Sequence, residues 1–250
     1  MKRFALLLAI LSISVNCYAY DDYTKLLSHF DGADGAQTYT SDDENARTAT
    51  FVGTAQLDTA IQKFGSASLL LDGNSDYITF PSSADFDFGT GNWTIDFWIR
   101  FNTVQTCDIL SRYQPDVANF SVAYSASKIV FEFRDYGEGS RVTFTVPFTP
   151  SVDTQYHIAI IRSGNSSAAD WNIYINGGAA TKSWLFTDYD INMIAISDTL
   201  HIGYGVSYEG YHNGFIDELR IVKGSAEWTS DFTPPTSPYN GVVSRVIIVN

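Results

Sequence analysis

The chain has 250 residues, 45% of them hydrophobic and 15% aromatic, and a formal net charge of −13. That length suits one large all-β domain or two small ones, and such acidity argues against nucleic acid and anionic membranes as partners. No apolar run reaches the ~20 residues that a membrane-spanning helix needs, so membrane insertion is not expected.

The first residues read as an export leader. Met1-Lys2-Arg3 is basic, Phe4 to Val15 is apolar, and small residues precede a cleavage point after Ala19. Residues 1–19 are therefore expected to be removed, leaving a secreted, extracellular or periplasmic protein. Cys17 follows Ser14-Val15-Asn16, a poor lipidation box. Its removal leaves Cys107 alone, expected as a buried thiol acting as a small hydrophobe.

Residues 20–240 read as short strands separated by Gly, Asn, Asp, Ser and Pro turns. Strands are predicted near 24–30, 47–53, 67–72, 76–80, 92–102, 107–112, 118–125, 128–134, 140–146, 155–162, 170–175, 181–186, 199–203 and 213–222. Trp93 to Phe101 alternates apolar odd positions with Thr94, Asp96, Trp98 and Arg100, the period of a half-buried strand. Tyr156 to Ile161 is nearly all apolar and reads as a central strand. Single helical turns are predicted at 57–62 and 190–196. The Thr-Pro-Pro-Thr-Ser-Pro run at 233–238 reads as a domain terminator, and residues 241–250 are apolar enough to add an edge strand. Many strands with Gly-rich turns and almost no helix predict an all-β fold, a two-sheet antiparallel β-sandwich of jelly-roll type.

Two carboxylates, Asp217 and Glu218, stand in the apolar run Gly214 to Gly224. Buried carboxylates need a partner. In a regular strand adjacent side chains point to opposite faces, so Glu218 is expected toward solvent or a basic neighbour. Asp217 alone keeps a site role, or else anchors backbone or pairs with Arg47 or Arg220.

A second set is the polar side of the alternating strands: Asp96, Trp98, Arg100, Glu132, Arg134, Asn172 and Tyr174. If these strands are neighbours they line one surface, where sugars would meet aromatic rings and paired polar groups. Cross-strand ion pairs are the competing explanation. The stretch 203–213 spaces Tyr204, Tyr208 and Tyr211 with glycines, as a recognition loop does. The four histidines show no metal-ligand spacing.

Four segments in order resemble a laminin-G-like domain of the concanavalin A-like superfamily, in its bacterial and phage exported variant. They are Leu27 to Gly32, Lys63 to Gly73 with Asp76-Tyr77-Ile78, Gly91 to Ile99, and Gly214 to Gly224 extended by Trp228-Thr229 and Phe232 to Pro235. The resemblance implies a sandwich over roughly residues 24–239. It also implies one structural calcium near the first and last strands, with Asp31, Asp42, Asp43 and Asp217 as candidate ligands. Calcium takes six to eight oxygens. Glycosidases on this type of sandwich carry Glu-x-Asp followed by a further Glu on one strand face, and that signature is missing; Glu132 to Glu138 breaks the alternation.

The expectation is a non-catalytic module that binds a glycan or an extracellular protein through Trp98, Arg100, Glu132, Arg134, Tyr174, Tyr208 and Tyr211. The alternative is a structural or assembly domain of a surface, adhesin or phage-derived particle; a glycoside hydrolase is the remote third. The sequence carries no signal for oligomeric state.

Overall fold

Alternation from Trp93 to Phe101 becomes the centre of a sheet in the computed structural model, which describes residues 22–239. Trp93, Ile95, Phe97, Ile99 and Phe101 enter the core, and the even residues face outward. The expected leader and C-terminal tail lie outside the described residues.

The strands are β1 (Thr24–Ser28), β2 (Thr50–Val52), β3 (Gln56–Asp58), β4 (Ser68–Asp72), β5 (Tyr77–Phe80), β6 (Trp93–Phe101), β7 (Cys107–Gln114) and β8 (Ala118–Ser125). They continue as β9 (Lys128–Asp135), β10 (Arg141–Pro147), β11 (Gln155–Arg162), β12 (Trp171–Ile175), β13 (Gly178–Ala179), β14 (Ser183–Thr187), β15 (Leu200–Ile202) and β16 (Asn213–Lys223). Neither expected helical turn forms: Leu57 lies in β3, and Met193 bridges Gly89 in extended geometry. Short 3₁₀ turns fall instead at Ala84–Phe86 and Ala168–Asp170, each capped by a serine.

Two antiparallel sheets of eight strands pack face to face, the sandwich that the sequence predicts. The first runs β13-β12-β11-β6-β16-β4-β3, with β1 also on β16; the second runs β14-β10-β9-β8-β7-β15-β5-β2. The near half of β16 pairs with β4 and its far half with β1, so the first and last strands are neighbours as expected. Between the sheets, Trp93 stacks on Phe131 at 5.5 Å and meets Trp171 edge-on at 6.0 Å. Each fully buried side chain of this size contributes roughly 1.5–3 kcal/mol. Cys107 is fully buried and unpaired, and burial pushes its thiol up to about 12.

Strand β16 is not regular. Asp217 pairs with Trp98 and Arg220 with Asp96, which leaves Glu218 and Leu219 opposite Phe97 alone. Glu218 takes a positive φ of 52°. This bulge turns both carboxylates away from the core, correcting the expectation that they face opposite sides.

Candidate functional site

The four carboxylates expected to hold calcium are each engaged by backbone N–H groups. Asp217 accepts backbone N–H groups from Lys63 at 2.6 Å, Phe64 at 3.3 Å and Glu218 at 2.8 Å. Asp31 accepts from Ser66 and Ala67, Asp42 from His29 and Tyr39, and Asp43 from Leu27, Asn45 and Arg47. Asp217 and Asp31 thus hold one segment, residues 63–67, while Asp42 and Asp43 hold the chain at residues 27–29. Among the described residues no three His, Cys, Asp or Glu side chains are placed to hold a metal ion. In this arrangement the donors do not fit a cage of six to eight oxygens. Burial, then the charge of Glu218, pushes Asp217 up to about 7. Glu218 is buried and meets a basic neighbour, its oxygens 3.0 Å from His29 Nδ1.

The expected single glycan surface is split by the strand order. β6 and β12 lie in the first sheet and β9 lies in the second, so Trp98, Arg100 and Tyr174 face away from Glu132 and Arg134 across the sandwich.

The outer face of the first sheet is capped by the chain itself. Residues 225–239 cross it as a strap, tied by the Phe232 N–H to Gly177 and the Ala179 N–H to Asp231. Trp228 and Phe232 stack at 4.0 Å and pack against Ala159, Ile161 and Tyr174, a small second core. Tyr174 is 1% exposed and Trp98 is 7% exposed, the latter under the Lys63 ammonium at 3.7 Å. Neither can stack on a sugar. Beneath the strap, Asp96 is fully buried between Arg220 at 3.0 Å, His157 at 3.3 Å and the Tyr239 hydroxyl, which donates to it. Burial opposes its charge, but Arg220 and then His157 outweigh that and hold its carboxyl below the usual range. Arg100 alone of the three reaches a cleft, of about 700 Å³, lined by Lys63, Phe64, Asp153 and Gln155. Its guanidinium is already held by Asp153 at 2.6 Å and Asn102 at 2.5 Å.

The outer face of the second sheet is organised differently. One cross-strand row runs Thr79, His201, Ser111, Ser121, Glu132, Thr143 and Phe186 over seven strands. At the strand spacing of a sheet that row is roughly 29 Å long. The next row reads Tyr113, Asn119, Arg134 and Arg141. Hydrogen bonds tie the two rows: Asn119 donates to Glu132 at 3.1 Å, Arg141 donates to Glu132, and Ser121 donates to Asp108 at 2.6 Å.

The tyrosine loop lies on this floor. Its base is closed by the His212 N–H to Gly203 and the Tyr204–Tyr211 bridge. Asp108 accepts the Tyr208 N–H at 2.9 Å, and the Ser111 hydroxyl donates to Tyr204 at 2.9 Å. Gly205 rides directly on these residues; a Cβ there would come within 2.6 Å of Asp108 and Ser111, so only glycine allows the approach. Burial and then the charge of Glu132 push the Tyr208 hydroxyl up to about 12, and burial raises the Asp108 carboxyl. Tyr211 stacks on Tyr204 at 4.6 Å beside Tyr77 and His201, forming an aromatic end to the face. Phe186 and Tyr136, 45% and 36% exposed, form the other end.

Glu132, Arg134, Tyr208 and Tyr211 are thus brought to one face, and Trp98, Arg100 and Tyr174 are not. Sequence reasoning missed Asp108, Asn119, Ser121, Arg141 and Phe186. The signal for two of them is Asn119-Phe120-Ser121, small polar residues at alternate positions in an otherwise apolar strand.

A laminin G family model, described as concanavalin A-like lectin/glucanases superfamily, matches residues 72–229. No curated protein gives a significant match. Among solved structures, domain 4 of AbnA, a GH43 extracellular arabinanase from Geobacillus stearothermophilus in complex with arabinotriose, is similar. It has 16% identity and a TM-score of 0.59, covering 82% of this chain and 94% of that one. The binding domain of botulinum neurotoxin serotype D has 13% identity and a TM-score of 0.60, with coverage of 85% and 51%. The binding domain of botulinum neurotoxin DC in complex with SialylT has 15% identity and a TM-score of 0.56, with coverage of 84% and 49%. The chain spans about half the length of those two neurotoxin chains. At such identities the likeness is one of fold.

Proposed function

Because the chain belongs to the concanavalin A-like lectin/glucanases superfamily and exposes Arg134, Tyr136 and Phe186 at one end of the outer face of its second sheet, we propose that it is an exported, non-catalytic glycan-binding module. The observation that carries this is the seven-strand polar row of the second sheet, with aromatic rings at both ends and the tyrosine loop pinned over its middle. Sugars offer apolar ring faces to such exposed aromatic ends and hydroxyl groups to the polar groups beside them. The ligands bound to the similar domains, arabinotriose and SialylT, support a sugar over a protein partner.

The absence of catalysis in this reading rests on Asp108 and Glu132, the carboxylates of the floor. Asp108 is occupied by Ser121 and the Tyr208 N–H, and Glu132 by Asn119 and Arg141. Export rests on the leader at residues 1–19, and N-terminal sequencing of the mature protein should begin at Tyr20. Calcium has no ligand role in this reading.

A glycan array followed by titration calorimetry tests the proposal. Tyr208→Ala and Glu132→Gln should each weaken the sugar that binds by about tenfold or more, in line with a lost charge-assisted hydrogen bond or stacking contact. Binding to no glycan, or binding unaffected by both changes, would sink it. A large closed oligomer without sugar binding would favour the assembly domain instead.

A further inference from the structure

The outer face of the second sheet carries an unbalanced charge at its exposed end. Arg134 on β9 stands directly opposite Arg141 on β10. Like charges in opposite positions on neighbouring strands repel and cost stability. One carboxylate, Glu132, lies within reach, and Arg141 takes it through a charge-assisted hydrogen bond. Among the described residues no carboxylate comes within ion-pair distance of Arg134. Its guanidinium is exposed and lies over the Tyr136 ring at 4.6 Å, while Arg141 lies over Phe186 at 4.0 Å. Among the described residues Arg162 also lacks an ion pair, but backbone carbonyls of Gly164, Gly89 and Tyr189 hold it.

The surroundings also limit how much negative charge a ligand can bring. Asp135 and Asp188 flank the two arginines, their carboxylates held by backbone N–H groups of Gly137, Glu138 and Arg141. The net charge of −13 repels a long polyanion at a distance. A guanidinium binds a carboxylate through two parallel hydrogen bonds. We infer, building on the glycan reading above, that the ligand of this face carries a single carboxylate, held by Arg134, with Tyr136 and Phe186 as apolar walls for the sugar ring. Neutral glycans and sulfated polyanions are the classes it discriminates against.

Titration calorimetry on the full chain tests this with matched probes. They are 3′-sialyllactose against lactose, glucuronosyl-xylotriose against xylotriose, and a heparin hexasaccharide. The expected result is that one of the two singly charged sugars binds about tenfold tighter than its neutral counterpart. Arg134→Gln should remove that advantage without lowering the melting temperature, since it also relieves the repulsion from Arg141, and Arg134→Lys should keep part of it. The two charged probes separate sialic from uronic acids as the source of the carboxylate. Equal binding of charged and neutral sugars, tightest binding of heparin, or an advantage that survives Arg134→Gln would overturn the inference. Neutral sugars bound without acidic preference, yet lost in Glu132→Gln, would sink the inference and leave the glycan reading standing. Binding of no sugar would sink both.

Discussion

The two outer faces of this sandwich are made from the same kind of alternating strand, yet one is covered by an apolar strap and the other by the tyrosine loop. On the first sheet the outward residues include Ala159, Ile161 and Tyr174, which pack under Trp228 and Phe232, and Trp98, which lies under Lys63 and Phe64. On the second, Asn119, Glu132 and Arg141 bond to one another, while Ser111 and Ser121 donate to Tyr204 and Asp108. An apolar outer face is covered by apolar packing, whereas a polar one that is covered must be satisfied by hydrogen bonds. Aromatic residues at alternating strand positions therefore marked the face under the strap, and small polar residues marked the face under the tyrosine loop.

The largest test of this contrast is to break the ionic centre under the strap. Asp96→Ala leaves Arg220 and His157 facing each other without their carboxylate, and should cost about 3–5 kcal/mol. Chemical denaturation measures the loss, and a cost under about 1 kcal/mol would mean that the strap needs no such anchor. Next comes Phe232→Ala, which removes half of the stacked pair from a half-buried position and should cost about 2 kcal/mol. Proteolysis should then cut within 225–239 before any cut in the tyrosine loop; the reverse order would contradict the assignment of the closed face.

A smaller effect comes from Asp217. Its folded pKa of about 7 lies above that of the unfolded chain, so its contribution is fully present below pH ~4 and is lost as pH rises through 7. Lowering the pH from 8 to 6 should stabilise the wild type by about 1.4 kcal/mol relative to Asp217→Asn. His29, raised by Glu218 against the opposing effect of burial, acts in the same direction. Its slope remains in that variant, so the difference isolates Asp217. A difference that stays constant with pH would show that this carboxyl is ionised throughout. The smallest expected effect is that of calcium. With the four aspartates already engaged by backbone N–H groups, saturating Ca²⁺ should leave the melting temperature unchanged. A rise that Asp217→Ala abolishes would overturn that arrangement.

The elements were legible where period-two alternation was strong. Thirteen of the fourteen predicted strand stretches needed no more than small changes at their ends, as at Ala118–Ser125 and Gln155–Arg162, and the 47–53 stretch shortened to Thr50–Val52. The loop carrying Tyr208 and Tyr211 was legible from its glycines, because close approach of backbone to a sheet demands them. What could not be read was which strands are neighbours. Pairing order is set by contacts between residues far apart in sequence, so Trp98 and Glu132 looked alike although they lie on opposite sides of the molecule. The turn of Glu218 was hidden for a different reason. A bulge is a local choice of φ that an apolar strand of normal composition does not announce. Asp108 escaped notice because the register shifts between Asp108 and Leu110, which upsets a simple odd–even count.

The position of β16 has a kinetic consequence. This strand pairs on one edge with β6 and on the other with β4 and then β1, residues 24–28 meeting residues 219–222. Three strands therefore wait with an unpaired edge until the chain has been made to residue 223. Contacts across such separations are slow to form, and exposed strand edges invite pairing with other chains in the interval. A ribosome-bound fragment that stops before Asn213 should be sticky and unable to close its first sheet, and adding those last eleven strand residues should complete folding in one step.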